Sequence, residues 1–392
     1  MARLKAVPAA CGAPHRAALE AVRIDLKHRF LERDDVVDGI LAALLCRQHV
    51  LLLGSPGTAK SALASATAAS IEGARFFGWL LTKFTTPEEI YGPISLSALQ
   101  LDRVARITTG KLPEAHLGML DECWKASSAI LNTLLTLMNE RVFYNDGKAV
   151  ACPLQTVIGA SNELPEGNEL EALFDRFLVR FWVPYLHDAA TIRTLLTAPQ
   201  PAASGSMTRD DLVLCQQEAS LVNLPDLIVD AVIAIKQRTE EQGFRSSDRR
   251  WQQLMFLLRA HAYLEGRDEV VEDDLDLLTD CLWREPKDRP ALAAIVGQVG
   301  NPLNVRATEI LDAAREAAVS LGSINPQGPD ARAEWLKQAS LVESRLGDME
   351  VELGKLAAEN SNRNLRRVRE AAGVVRQMKA ALTKRVATAY GL

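Results

Sequence analysis

His49-Val-Leu-Leu-Leu53 is a five-residue apolar run that meets Gly54-Ser-Pro-Gly-Thr-Ala-Lys60-Ser61 without a spacer, and an Ala/Ser-rich helical pattern starts near Lys60. A short apolar run bounded by turn residues reads as a strand buried on both faces. A strand that passes through a glycine turn directly into a helix is the first half of a parallel crossover, and nothing else in the chain restricts the fold as much. The eight residues satisfy G-x-x-x-x-G-K-[ST] in spacing, with Ala59 where the pattern has its second glycine. Gly54 and Gly57 let the backbone wrap closely, and Ser55, Pro56, Thr58 and Ala59 complete the loop. Successive N–H groups, with the helix N-terminus behind them, then point at an anion. The pattern predicts that Lys60 reaches the β- and γ-phosphates of a bound nucleotide and that the Ser61 hydroxyl ligates Mg²⁺.

A second motif follows some 60 residues on: Leu117-Gly-Met-Leu-Asp121-Glu122, an apolar run ending in two carboxylates. Asp121, at the carboxyl end of a strand, is expected to hold Mg²⁺ through water, and Glu122 to polarise an attacking water as general base. Alone the string is weak, because strands often end in acids; paired with the phosphate loop it is strong. Thr156–Ala160 and Val179–Val183 read as further strands, separated by helices such as Ser127–Asn139, and Asn145-Asp146-Gly147 has the turn chemistry of a β-hairpin. Strand and helix in alternation predict a parallel sheet with helical cover.

From His187 onward the β signal disappears. Thr197–Met207 is loop-like, and helical patterns follow at Thr208–Leu221, Pro225–Gln242, Ser247–Leu264 and Glu272–Leu282. Beyond a proline-punctuated link, apolar residues recur at steps of three or four from Leu336 to Leu356. They recur again from Leu365 to Val386, after a break at Asn360-Ser361-Asn362. This predicts an antiparallel hairpin with a coiled-coil-like seam, with Val305–Ser320 as a third member. The expected architecture is therefore an α/β core with a parallel sheet, an all-α lid, and a C-terminal helical hairpin or three-helix domain. The boundaries are a flexible arm at 1–16, the core at 17–186, the lid at 187–284 and the helical domain at 285–392.

Charge and cysteine content exclude some classes. Lys and Arg number 45 against 50 Asp and Glu, net −5, which argues against a chain-wide grip on nucleic acid or anionic lipid. That balance hides a segregation: residues 327–360 carry seven acids and four bases, whereas residues 361–392 carry eight bases and one acid. The basic arm can be read as a nucleic-acid surface or as a partner for the acidic arm. The acidic arm within reach and the lack of interleaved aromatics favour pairing. The six cysteines are far apart with no C-x-x-C pair, and no apolar run approaches the roughly 18 residues of a membrane span. Reduced thiols in a cytoplasmic protein are expected.

The two motifs resemble a AAA+ ATPase core, and the strings around them narrow the likeness. Lys83-Phe-Thr-Thr-Pro-Glu-Glu-Ile-Tyr-Gly-Pro93, Leu112-Pro-Glu114, Asp121-Glu-Cys-Trp-Lys125, Ile130-Leu-Asn-Thr-Leu-Leu135, Asn139-Glu-Arg141, Ala160-Ser-Asn-Glu-Leu-Pro165 and Ser247-Asp-Arg-Arg-Trp251 are similar to the MoxR family, its RavA branch in particular. The resemblance covers roughly Ala17–Leu282. It implies that Asn162 is the sensor 1 residue that helps orient the attacking water. It implies that Arg176, in Phe174-Asp-Arg-Phe177, is an arginine finger offered to a neighbouring subunit's ATP, with Arg180 as rival. It implies that Arg249 is sensor 2 on a lid helix capped by Ser247, with Arg250 as rival. Residues 90–110 become an insert facing the pore of a ring, and Glu140 and Arg141 lie either at a subunit interface or at a solvated helix end.

The same resemblance implies a homo-oligomeric, hexameric ring that remodels or matures a protein partner working with a von Willebrand factor A (VWA) domain. An ATP-gated scaffold is the alternative, and a nucleic-acid motor a more distant one. Two positions depart from the family pattern. Gly118 stands in the strand before Asp121 where a β-branched residue is usual, and Cys123 stands where an aliphatic one is commoner. The helical arms also leave no room for the small β-rich domain that RavA proteins insert.

Overall fold

The structure, a computed structural model, describes residues 13–165, 167–199, 201–322, 328–359 and 366–390. Among them the strands are β1 (His49–Leu53), β2 (Ile71–Glu72), β3 (Phe76–Leu80), β4 (Leu117–Asp121), β5 (Val142–Asn145), β6 (Lys148–Ala151), β7 (Thr156–Ser161), β8 (Phe177–Trp182) and β9 (Met207–Thr208). Five form one parallel sheet in the order β3-β4-β7-β1-β8. β1 and β7 are buried along their whole length, as strands covered on both faces must be. The helix Asp34–Leu45 packs on β1 and β8, and the helix Lys60–Ala69 packs on β3, β4 and β7. Gly39 lets the first of these helices close on the sheet, since a Cβ there would lie 2.2 Å from the Phe181 ring.

The strand order brings the site together. Register pairs Leu53 with Ser161 and Asp121 with Ala160, so the chain leaves β1, β4 and β7 at one edge, at Gly54, Glu122 and Asn162. Ligands of open parallel sheets bind at that carboxyl edge.

Several elements differ from the sequence expectation. β3 was not foreseen: Phe76-Phe-Gly-Trp-Leu80 is an edge strand whose alternate residues face out, so its apolar side chains neither form a buried run nor alternate with polar ones. Pro14, His15 and Arg16, read above as the end of an arm, open the helix Pro14–Arg29, where proline's fixed φ suits the first turn. Residues 1–12 lie outside the described residues. The span after His187 is not wholly helical, because Met207-Thr208 pairs in parallel with Ile71-Glu72. Two residues are too few for a pattern to register. Glu272–Leu278 is a 3₁₀ helix, with a short α-helix only at Thr279–Leu282. The hairpin β5–β6 forms around Asp146 and Gly147, both at positive φ as its turn requires.

The described residues within 1–229, 239–270 and 277–292 form one compact unit, and those within 230–238, 271–276 and 293–392 form another. The second is built on the helices Pro302–Ser320, Pro329–Glu359 and Arg366–Tyr390. Their shared core includes Ala339, Val342, Leu346, Leu353, Val368, Val375 and Leu382, positions of the periodic pattern, together with Ile310 of the first helix. The break placed at Asn360–Asn362 lies outside the described residues. The two charged arms pair across the hairpin. Glu350 receives Arg376 Nε at 2.8 Å and Lys379 Nζ at 3.2 Å, and Thr383 donates to Glu343. Among the described residues no helix is long and apolar enough to cross a membrane.

Candidate nucleotide site

The loop after β1 is a tight wrap with one indispensable glycine. Gly54 sits at φ +149°, its N–H donates to the Ser161 carbonyl at 3.1 Å, and a Cβ on it would lie 2.2 Å from the Val183 carbonyl oxygen. Gly54→Ala is therefore expected to destabilise the core by about 1–3 kcal/mol. Denaturant unfolding reads the effect, and an unchanged midpoint would show that the crossing of Gly54 and Val183 has slack. Gly57 and Ala59 both take positive φ, +79° and +64°, which turns the loop back on itself before the helix Lys60–Ala69 begins. The Lys60 ammonium lies inside this wrap and donates to the carbonyls of Gly54 (2.7 Å) and Ser55 (2.8 Å). Burial lowers its pKa, while Asp121 and Glu122 act in the opposite direction.

The two motifs meet. The Ser61 hydroxyl donates to Asp121 Oδ2 at 2.9 Å across 60 residues of chain. The Asp121 Oδ1 atom accepts the Glu122 N–H at 3.1 Å, and Glu122 is itself held at φ +51°. A non-glycine residue in that region is strained and persists only where its surroundings demand it. Glu122 Oε2 is 3.2 Å from Lys125 Nζ, an acid–base pair three residues apart that sequence reading had not singled out. Asn162 is exposed just past the end of β7 at the same edge. Serine hydroxyl and carboxylate oxygens side by side are a hard-oxygen donor set of the kind Mg²⁺ takes when phosphate and water complete its shell. Among the described residues no cluster of three His, Cys, Asp or Glu could serve a metal instead.

The arginines separate into buried and available. Arg180 is buried over the Phe174 ring, 3.9 Å from its centroid, and donates to the carbonyls of Trp283 (2.5 Å), Phe177 (3.3 Å) and Phe174 (3.3 Å). Arg250 is likewise buried and donates to the carbonyls of Cys281, Asp175, Phe177 and Leu178. Burial lowers the pKa of both, most of all that of Arg180. The side chains of Arg176 and Arg249 keep 20% and 44% of their surface exposed, and both flank Asp175. Arg141 turns inward and caps the carbonyls of Arg47, Met138 and Gln155, so its guanidinium serves the core rather than a solvated helix end.

Comparison with known proteins decides the family. A model described as the MoxR domain of MoxR-vWA-beta-propeller ternary systems matches residues 17–222, more than half of the chain, and an AAA lid domain model matches residues 227–296. The chain belongs to the MoxR family of AAA ATPases. Two uncharacterized Methanocaldococcus jannaschii proteins are 38% and 36% identical to this MoxR chain. The first match covers 72% of this chain and 76% of the relative, the second 76% and 77%. The chaperone MoxR1 of Mycobacterium tuberculosis is 26% identical over 67% of this chain and 74% of its own. A candidate ATPase of Cytophaga hutchinsonii, solved by crystallography, superposes with a TM-score of 0.58 over 72% of this chain and 94% of its own. At 18% identity it speaks for the fold alone.

Both departures from the MoxR pattern have a packing reason. Leu112 fills the space beside Gly118, where a Cβ would lie 2.8 Å from its Cδ1, so the glycine makes room for a fully buried leucine. Cys123 is buried against Gly159 beside the Phe177 ring, a spot that suits a small thiol. Trp124 lies within the Asp121–Lys125 string. Its indole N–H donates to the Glu163 carbonyl at 2.8 Å, and its ring meets Phe174 and Phe177, tying the residues after β4 to those that carry Arg176.

Proposed function

We propose that this MoxR chain is an ATP-hydrolysing, ring-forming remodeller of a protein partner. The observation that carries the reading is the Ser61–Asp121 contact at 2.9 Å, with Lys60 folded into the same loop. It joins the phosphate loop to the carboxylate pair, as phosphoryl transfer demands. Gly54, Ser55, Pro56, Gly57, Thr58 and Ala59 would surround the ATP phosphates with backbone N–H groups, and Lys60 would exchange its carbonyl partners for β- and γ-phosphate oxygens. Ser61 would hold Mg²⁺ directly and Asp121 would hold it through water. When bound, the metal supplies charge neutralisation at the phosphates. Glu122 orients and deprotonates the attacking water, Asn162 positions that water, and Arg249 takes the sensor 2 role at the start of the lid helix.

Arg176 is the residue we assign to the neighbouring subunit's ATP, in preference to Arg180, whose guanidinium is committed to carbonyls of its own chain. An arginine supplied in this way requires an adjacent subunit, which we take to be the next member of a hexameric ring. The partner we propose is a protein with a VWA domain, because the matched MoxR model is described by systems that contain one. The RavA-like reading rests on the residue strings alone.

Lys60→Ala tests the nucleotide assignment. It should abolish ATP binding by calorimetry, with the circular dichroism of the nucleotide-free protein still that of a folded chain. Unchanged ATP affinity would remove the phosphate-loop reading and the proposed function with it.

A further inference from the structure

The helices Pro302–Ser320, Pro329–Glu359 and Arg366–Tyr390 lie beyond the residues that the family models match, so those models give them no role. A groove of about 560 Å³ runs between the first two. Ala313, Glu316, Ala317 and Ser320 line it from one helix, at the spacing i, i+3, i+4, i+7 that keeps them on one face. Arg345, Asp348, Met349 and Glu352 line it from the other. Leu341, one turn before Arg345 on the same face, is 58% exposed and continues the apolar surface. Among the described residues, none from the third helix lines the groove; its Val368, Val375 and Leu382 lie in the shared core instead.

The charges around the groove are unevenly satisfied. Arg306 Nε and Nη2 reach Glu352 Oε1 at 2.9 and 2.7 Å, so the carboxylate at that end is neutralised within the chain. Glu316 and Asp348 are exposed, and neither has an ion-pair or hydrogen-bond partner among the described residues. Arg345 opposes these two acids as one base, which leaves the rim negative around an apolar lining of Ala313, Ala317 and Met349.

We propose that this groove docks an amphipathic helix of a protein partner, one whose apolar stripe is flanked by Lys or Arg. The walls are helices whose mid-helix backbone groups are already paired, so an extended peptide would find no main-chain partners there. A helix brings its own backbone hydrogen bonds and presents only side chains. The two alanines let its backbone approach closely, and the face from Leu341 to Glu352 spans roughly 16 Å, about three turns of a docked helix. Glu316 and Asp348 then select basic flanking residues and turn away acidic ones. The docking surface is separate from the nucleotide site, and its failure would leave the phosphate-loop reading untouched.

The test is selection of phage-displayed helix-forming peptides of about 18 residues, long enough to hold a helix, on the full chain. Counter-selection uses Ala313→Trp, which fills the groove from an exposed position. Enriched peptides should carry Lys or Arg beside an apolar stripe. As synthetic peptides they should bind the Glu316→Lys/Asp348→Lys double variant about tenfold or more weakly than wild type. Versions with Glu in place of Lys should prefer the double variant, a reversal that loss of structure cannot produce. No enrichment, enrichment without basic residues, or equal affinity for wild type and double variant overturns the proposal. Self-association that Ala313→Trp abolishes would seat a second copy of the chain in the groove and overturns it too. If Ala313→Trp does not fold, the double variant, altered at two exposed positions, takes over the counter-selection.

Discussion

Arg176→Ala is expected to bind ATP with wild-type affinity and to lose about 10³–10⁵-fold of its turnover, the loss that follows when a trans-acting arginine is withdrawn. The size of the effect comes from where the guanidinium acts. A cation placed against charge that develops in the transition state lowers the barrier without tightening ground-state binding, so affinity and rate separate. The structure makes the experiment specific to this position. Arg180, four residues on, spends its donors on carbonyls of Phe174, Phe177 and Trp283, whereas the Arg176 guanidinium has, among the described residues, Asp175 as its counter-charge. Mixing Arg176→Ala with Lys60→Ala subunits should restore turnover, because the second variant binds no ATP but still offers Arg176 to its neighbour. A mixture as inactive as its components would take the trans role away from Arg176.

Glu122→Gln should bind ATP and release phosphate about 10²–10⁴-fold more slowly, the usual range for removing a general base. Glutamine keeps the shape of the side chain and the backbone at φ +51°, and its amide oxygen can still accept from Lys125. What it loses is the ability to take a proton. Phosphate release at saturating ATP, set beside nucleotide binding by calorimetry, separates the two effects, and near-normal release would exclude Glu122 as base. The same variant should hold the proposed ring in its ATP-bound state, which makes it the form in which to look for the proposed VWA-domain partner.

The core was legible in the sequence wherever a residue's task is set by its near neighbours. The strand His49–Leu53, the turn at Gly54 and the helix from Lys60 are contiguous, and each is written in a local pattern: apolar run, glycine, then Ala/Ser-rich helix. β7 and the β5–β6 hairpin were readable for the same reason. β3 was not, because an edge strand with outward-facing Phe76 and Leu80 lacks both a buried run and a polar alternation. The pair Met207-Thr208 was invisible because its partner Ile71-Glu72 lies far away in the chain and its two-residue length leaves no period to find. Lys125 could have been found from its spacing to Glu122; Asp175 could not, since nothing near it in sequence shows that the lid's Arg249 and Arg250 reach it.

The sequence by itself determined the candidate constellation on offer: a phosphate loop ending in Lys60-Ser61, a strand ending in Asp121-Glu122, and arginines at 176, 180, 249 and 250. Only the tertiary structure decided which arginines are available. Arg176 and Arg180 share their chemistry and their neighbourhood in the chain, as do Arg249 and Arg250. What separates them is desolvation and the backbone carbonyls supplied by residues as distant as Cys281 and Trp283, which fix one member of each pair and leave the other beside Asp175. Burial and carbonyl partners are properties of the folded surroundings, so no reading of the local sequence could have assigned them.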